Sequence, residues 1–186
     1  MRICKLLLFV FLSSTSFAAV AGQYATVYFS PEDHLEQRLI SLIEKEKRSI
    51  HIAVYSLTHR RIATALIEAK QRGVQVEVIV DRFSVKAKSP LLLMSQEGIP
   101  ISVWDSDPYK TKKGHRALMH HKFCVFGDDM VWTGSFNWTY EASRSHKEDV
   151  IALRDPTLAS AYKNQFYHIQ STSCVSLASY VAYKKK

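Results

Sequence analysis

The sequence holds little that would keep a chain unfolded. Glycine and proline number only 6 and 5 among 186 residues, which excludes a collagen-like or low-complexity chain. Its three cysteines, Cys4, Cys124 and Cys174, form no C-x-x-C pair, so neither a zinc ribbon nor a thiol-redox site is available. Beyond the first twenty-odd residues, no hydrophobic run is long enough to cross a bilayer. No internal repeat is visible. Acidic residues are also scarce, 17 against 25 basic ones, for a formal charge of +8. What is present is a 47% hydrophobic content in a chain long enough for one domain with a substantial core. The positive excess points to an anionic partner, nucleic acid or a phospholipid surface, without choosing between them.

The first residues read as an export signal. Arg2 and Lys5 precede an apolar run over 6–12, a Ser/Thr cluster follows over 13–16, and the segment ends in Ala19-Val20-Ala21. That order describes a secretory signal peptide over 1–21, leaving residues 22–186 as the mature domain in the periplasm or outside the cell. An uncleaved membrane anchor is the alternative. It is disfavoured because lengthening the run to about 17 residues takes in the hydroxyl cluster. Cleavage would remove Cys4 and two positive charges, and the domain would stay basic. In an oxidising compartment Cys124 and Cys174 could pair, or they could be two buried thiols; their spacing does not decide.

Strand and helix signals alternate along the rest. Strands are expected over 25–29, 50–56, 74–80, 101–104, 120–126, 130–133 and 150–153. Between them, Ser30-Pro31 should open a helix with the apolar stripe Leu35, Leu39, Ile40, Leu42 and Ile43. Further helices are expected over 60–72, stopped by Gly73, from Ser89-Pro90 to Gly98, and over 156–169. Residues 175–186 read as a tail ending in three lysines. Such alternation argues for an α/β sandwich, a sheet with helices on both faces.

The chemistry-bearing residues fall between 120 and 137. In a strand over 120–126, His120 and Lys122 would share one face, and an imidazole beside a fixed ammonium suits work on a phosphate. Neutral imidazole can attack phosphorus while the lysine stabilises charge on the phosphoryl oxygens. Gly134 permits close backbone approach, and Ser135 and Asn137 can add hydroxyl and amide hydrogen bonds. A metal held by His120, His121 and Asp128 is not expected, because Lys122 would repel the cation. His121 and Trp138 read as packing residues, as do Leu118, Met119 and the run 91–94.

His-x-Lys at 120–122, followed after a strand-turn-strand by Gly134-Ser135-Phe136-Asn137, resembles the signature of the phospholipase D superfamily. Small members with a single HKD motif, the secreted bacterial endonucleases and the zucchini-type phosphodiesterases, are the nearest in pattern. The resemblance extends to Val27-Tyr28-Phe29-Ser30-Pro31, Ala53-Val54-Tyr55-Ser56-Leu57-Thr58 and Glu148-Asp149-Val150-Ile151, and so covers most of residues 22–186. It implies a sandwich of a mixed β-sheet with helices on both faces, with His120 as the nucleophile of a phosphohistidine intermediate. It also implies phosphate binding by Lys122, Ser135 and Asn137, and a carboxylate at Glu148 that orients the histidine. One position departs from the family pattern. Gly127 stands where the motif has Asp, so Asp128 or Asp129 would have to supply the turn hydrogen bonds.

The implied mechanism needs two histidines at one phosphate, one neutral and one protonated. A chain with one motif should therefore act as a homodimer with its active site on the two-fold axis. No cofactor is implied. Lys112, Lys113, His115 and Arg116 could line a substrate groove. A nonspecific nuclease on DNA, and possibly on RNA, is the leading expectation. A phospholipase would need an apolar entry surface, and a non-catalytic nucleic-acid-binding protein would not need the intact His120, Lys122, Ser135, Asn137 and Glu148.

Overall fold

Strand β2 (Ser49–Val54) is buried at every residue, and the rest of the chain is built outward from it. The computed structural model describes residues 24–87, 89–105 and 117–184. The expected signal peptide and the groove candidates Lys112, Lys113, His115 and Arg116 lie outside them.

On one side of β2 come β3 (Gln75–Asp81) and β4 (Ile101–Trp104), both parallel to it, as β-α-β crossovers require. On the other side come β5 (Lys122–Phe126), β6 (Met130–Gly134), β7 (Asp149–Arg154) and β1 (Tyr24–Phe29), each antiparallel to its neighbour. A short β8 (Cys174–Ser176) closes the far edge against β4. The full order is β1-β7-β6-β5-β2-β3-β4-β8.

Helices cover both faces of this mixed sheet, as expected. On one face Ile50, Ile52 and Val54 pack with Leu35, Leu39 and Ile43 of α1 (Leu35–Lys45). Ile62 and Leu66 of α2 (Arg60–Gln71) join them, with Leu91 and Met94 of α3 (Leu91–Gln96). The other face carries α5 (Pro156–Ser173), whose Ala159, Phe166 and Ile169 meet Ala53, Ile79, Phe123, Val125 and Val131. The two buried apolar sets alternate along β2 and β5, the period-two signature of a sheet covered on both sides. No helix of the described residues is long and apolar enough to cross a membrane.

Several elements differ from expectation for identifiable reasons. Helix α1 starts at Leu35, one turn after Pro31. Ser30 does not cap it, because its hydroxyl donates to the His146 carbonyl and accepts from Glu148 N–H. Residues 30–33 form a turn instead, in which Asp33 accepts from Phe29 N–H. The lysine-ended tail is structured: β8 and α6 (Leu177–Lys184) form, and Leu177 and Tyr180 are buried in the main core. A further short helix, α4 (Tyr140–Arg144), is capped by Thr139 accepting from Ala142 N–H.

Leu92, Leu93 and Leu118 are exposed rather than packed, leaving Leu91, Met94 and Met119 in the core. Cys124 and Cys174 are both free. They cannot pair, because Cys124 packs in the core under α1 and Cys174 against the α5 core.

Gly134 earns its place at the end of β6 through the neighbouring strand. A Cβ there would lie 2.1 Å from the Asp149 carbonyl oxygen and 2.8 Å from Val150 Cα. Both obstacles are backbone, so relief requires β7 to move. Gly134→Ala should therefore lower stability by about 1–3 kcal/mol or more, read as a fall in urea midpoint; an unchanged midpoint would show that the strands are free to separate.

Candidate active site

The candidate residues gather where β2 and β3 end and β5 begins. Beyond Val54, the N–H of Tyr55 donates to the His121 carbonyl at 2.8 Å, extending the β2–β5 pairing past its last formal pair. Strand β5 itself starts at Lys122, so His120 stands before the strand, and strand alternation does not orient its side chain. Contacts do. The imidazole is exposed and lies 4.8 Å, centre to centre, from the Tyr55 ring. His121 is also exposed and packs edge-on against Phe123.

Lys122 is only 9% exposed. Its ammonium donates one hydrogen bond, to the His120 carbonyl at 2.7 Å, and lies 5.4 Å from the centre of the Tyr55 ring. Two of its three N–H donors have no hydrogen-bond partner among the described residues. Burial lowers the lysine pKa from its ordinary value, partly offset by the negative charge of Glu148. The same physics acts on His120. Partial desolvation, then repulsion by Lys122, pushes its pKa down, against the opposing pull of Asp81. A lowered value keeps the imidazole neutral at physiological pH.

Gly134 pairs with Val150, and one step beyond the Phe123–Thr133 pair it stands opposite Lys122. Beyond it, Ser135 N–H donates to the Asp149 carbonyl. The Ser135 hydroxyl donates to Glu148 Oε2 at 2.5 Å and accepts from Asp149 N–H. Glu148 is thus tied to Ser135 within one chain, and its other oxygen lies 3.7 Å from His146 Nδ1. The buried Oδ1 of Asn137 has no hydrogen-bond partner. Trp138 is in the core, as a packing residue should be.

The turn at Gly127 adopts a left-handed φ of 54°, which suits glycine better than the family's Asp. Asp128 and Asp129 do not supply turn hydrogen bonds. Asp128 pairs with Arg48 and Lys163, and Asp129 with Arg154.

Two residues belong to the site without having been singled out in the sequence. Asp81, fully buried, accepts from Phe83 N–H and Met119 N–H, both at 2.9 Å. It thereby anchors the chain just ahead of His120, and burial raises its pKa. Its signal was an acidic residue closing the apolar run Val78-Ile79-Val80. His146, beside Glu148, gave no signal at all.

Residues 39–170 match the family model described as cardiolipin synthase, PLD-like domain. The chain is 30% identical over 159 residues to a phospholipase D of Rickettsia prowazekii, covering 85% of this chain and 73% of that protein. Among solved structures, NucT from Helicobacter pylori superposes with a TM-score of 0.75 at 25% identity, covering 84% of this chain and 100% of that one. A phospholipase D family member, Nuc from Salmonella typhimurium, gives 0.72 at 25%, covering 83% and 98%.

The charges around His120 make opposite predictions for two substitutions. Lys122→Met removes a repelling cation, so the His120 pKa should rise. Asp81→Asn removes an attracting anion, so it should fall. The asparagine amide would also face a backbone N–H and leave it unpaired, at a cost of about 1–3 kcal/mol. NMR titration of the imidazole together with urea unfolding reads both; shifts of the same sign would contradict this account.

Proposed function

The chain belongs to the phospholipase D superfamily and is a phosphodiesterase of that superfamily; from that premise we propose that it cleaves nucleic-acid phosphodiester bonds through a phosphohistidine on His120. The observation that carries this reading is the buried ammonium of Lys122, two of whose three donors are idle, set with the His120 imidazole against the same Tyr55 ring. An anionic phosphoryl group would accept from the two idle Lys122 donors and from the Asn137 amide N–H, while the Ser135 hydroxyl, turning from Glu148, would add a third contact.

In the proposed reaction a ring nitrogen of His120 attacks phosphorus and the P–O bond to one ester oxygen breaks. The leaving oxygen takes a proton from a second, protonated histidine. Water then attacks phosphorus, passing a proton back to that histidine, and the P–N bond breaks to release His120. In a homodimer the second imidazole is the partner subunit's own copy of the nucleophile, at a shared two-fold axis. Dimerisation is favoured by an apolar strip beside the site, Val27 and Phe29 of β1 with Ile151 of β7, all exposed. Such contiguous apolar surface favours association. His146 is the rival source of the proton within one chain.

Nucleic acid is favoured as substrate by the basic composition and by the guanidiniums of Arg61 and Arg144, exposed close to the segment that follows Asn137. A phospholipid is the second reading. Exposed Phe83, 6.2 Å from the Tyr55 ring, and exposed Leu118 supply apolar surface near His120, and the Rickettsia relative is named for that activity. The N-terminal segment 1–21 would direct the enzyme to the periplasm or the exterior, which N-terminal sequencing of the mature protein tests.

Purified protein should nick plasmid DNA equally with and without EDTA, and His120→Ala should abolish turnover while leaving the fold intact. Retained activity in that variant, or loss of wild-type activity on chelation, would overturn the mechanism. Mixing wild type with excess His120→Ala subunits should suppress activity well beyond dilution; activity that merely dilutes would point to His146 in the same chain.

The pH profile should be bell-shaped. Protonation of His120 removes the nucleophile, so the acid limb of kcat/KM should lie below about 6.5, the ordinary histidine value, because the His120 pKa is lowered. An acid limb well above that value would mean another group is being titrated.

A further inference from the structure

A cavity of about 340 Å³ opens where α2 begins, between α1 and α4. A buried ion cluster forms its floor. Glu36 is 3% exposed, with one carboxylate oxygen 2.8 Å from Arg61 Nη1 and the other 3.7 Å from Arg144 Nη2. His59, 5% exposed, stands 3.5 Å from that second oxygen, and neither of its ring nitrogens makes a hydrogen bond. The guanidiniums point outward: the Arg61 and Arg144 side chains are 62% and 47% exposed. Tyr140, itself exposed, stacks on His59 at 6.1 Å, with the Arg144 guanidinium 5.8 Å from its ring centre.

This arrangement suits an anion. The carboxylate is inside and already neutralised, so what the cavity offers a visitor is the free edges of the guanidiniums. Each guanidinium carries five N–H donors, and both meet Glu36 as ion pairs without a hydrogen bond, since Glu36 Oε1 lacks a hydrogen-bond partner. Arg60 adds a third cation at the rim, and the one other acid acting on His59 is Glu141. Burial, reinforced by Arg61 and Arg144 and opposed by Glu36 and Glu141, keeps His59 neutral. A planar fork held in place by a buried carboxylate matches the oxygens of a phosphate.

The cavity is also placed for the same substrate. Three segments that build the active site run into it: 55–59 from Tyr55, 137–140 from Asn137, and 144–148 back from Glu148. The first two are lashed together by Trp138 N–H to the Ser56 carbonyl and by Thr58 and His59 N–H to the Trp138 carbonyl. Tyr140 follows Asn137 by three residues, at most about 10 Å of chain and less here because Thr139 N–H turns back to the Asn137 carbonyl, within reach of a neighbouring phosphate on an extended strand.

We propose that this cavity is a subsite for a flanking phosphate of a single-stranded polynucleotide whose scissile phosphate lies at His120. Arg61 and Arg144 hold the flanking phosphate, Glu36 fixes their orientation, and Tyr140 packs against the adjoining sugar or base. The proposal rests on the nucleic-acid reading of the active site.

The test compares a single-stranded oligonucleotide with bis(p-nitrophenyl) phosphate, a diester too small to reach the cavity. Arg61→Gln, which can still donate to Glu36, and Arg144→Ala should each raise KM for the oligonucleotide about tenfold with kcat nearly unchanged. Each should also lower the slope of log affinity against log salt by about one. Both variants should hydrolyse the small diester like wild type, which also certifies their fold. Oligonucleotide KM and salt slope equal to wild type, with normal small-diester turnover, would overturn the subsite. Should wild type hydrolyse the small diester but not the oligonucleotide, the nuclease reading fails on its own. Oligonucleotide binding, measured by anisotropy in the same variants, then decides the subsite. Loss of binding to phosphatidylglycerol vesicles with oligonucleotide binding intact would assign the cavity to a lipid headgroup and overturn the proposal.

Discussion

The pairing of β2 with β5 is the contact on which the rest of the molecule depends. It is the seam between a parallel half, β2-β3-β4, and an antiparallel half, β5-β6-β7-β1. Because the two strands run in opposite directions, the end of β2 lies beside the start of β5, and Tyr55 meets the segment carrying His120 and Lys122. A slip of one residue would turn Lys122 toward α5 and bring Phe123 under α1, exchanging the two buried faces at once. The full burial of β2 specifies the register. Asp81 at the end of β3 then secures the incoming chain by accepting from Met119 N–H. The chemistry thus sits beyond the carboxyl ends of parallel strands, where open α/β sheets commonly place it.

The electrostatics follow from that placement. Lys122 is removed from water without a directly bonded carboxylate; it has one carbonyl, a tyrosine face and the more distant Glu148. An ammonium in that position is under-solvated and stands to gain from an incoming anion. The same cation disfavours protonation of His120, so one buried charge would both attract a phosphate and keep the proposed nucleophile neutral. Gly134 makes this possible from the other side, since only a residue without Cβ lets β7 come close enough for Ser135 to bond both Glu148 and the backbone of Asp149.

Much of this was legible in the sequence because it was written in periods and caps. The strands expected over 50–56, 74–80 and 101–104 form, the first ending two residues early at Val54, and α2 stops before Gly73, whose φ of 92° needs glycine. What was not legible came from tertiary partners. Ser30 looked like a cap for Pro31, but its hydroxyl bonds across to β7. The last residues looked like a solvated lysine tail, but β4 offered an open edge that Cys174–Ser176 fills. Leu92 and Leu93 shared a run with buried Leu91 and Met94, and a six-residue helix has only one face to bury. His120, Lys122, Ser135 and Asn137 lie in the motif itself and Glu148 follows from the family resemblance, whereas Asp81 and His146 reach the site only through folding.

The surfaces around the site divide between two kinds of neighbour. Val27 and Ile151 oppose each other directly across β1 and β7, and Phe29 lies two residues on, opposite Asp149. They form one contiguous strip that ends beside Glu148. A second copy seated there would reach the catalytic cluster from the β7 side, where Glu148 and His146 stand. The opposite rim, with Tyr55 and Phe83, and the segment from Asn137 to Arg144 would stay open. That division would suit the proposed shared site, in which a long anionic strand passes through while two subunits remain joined.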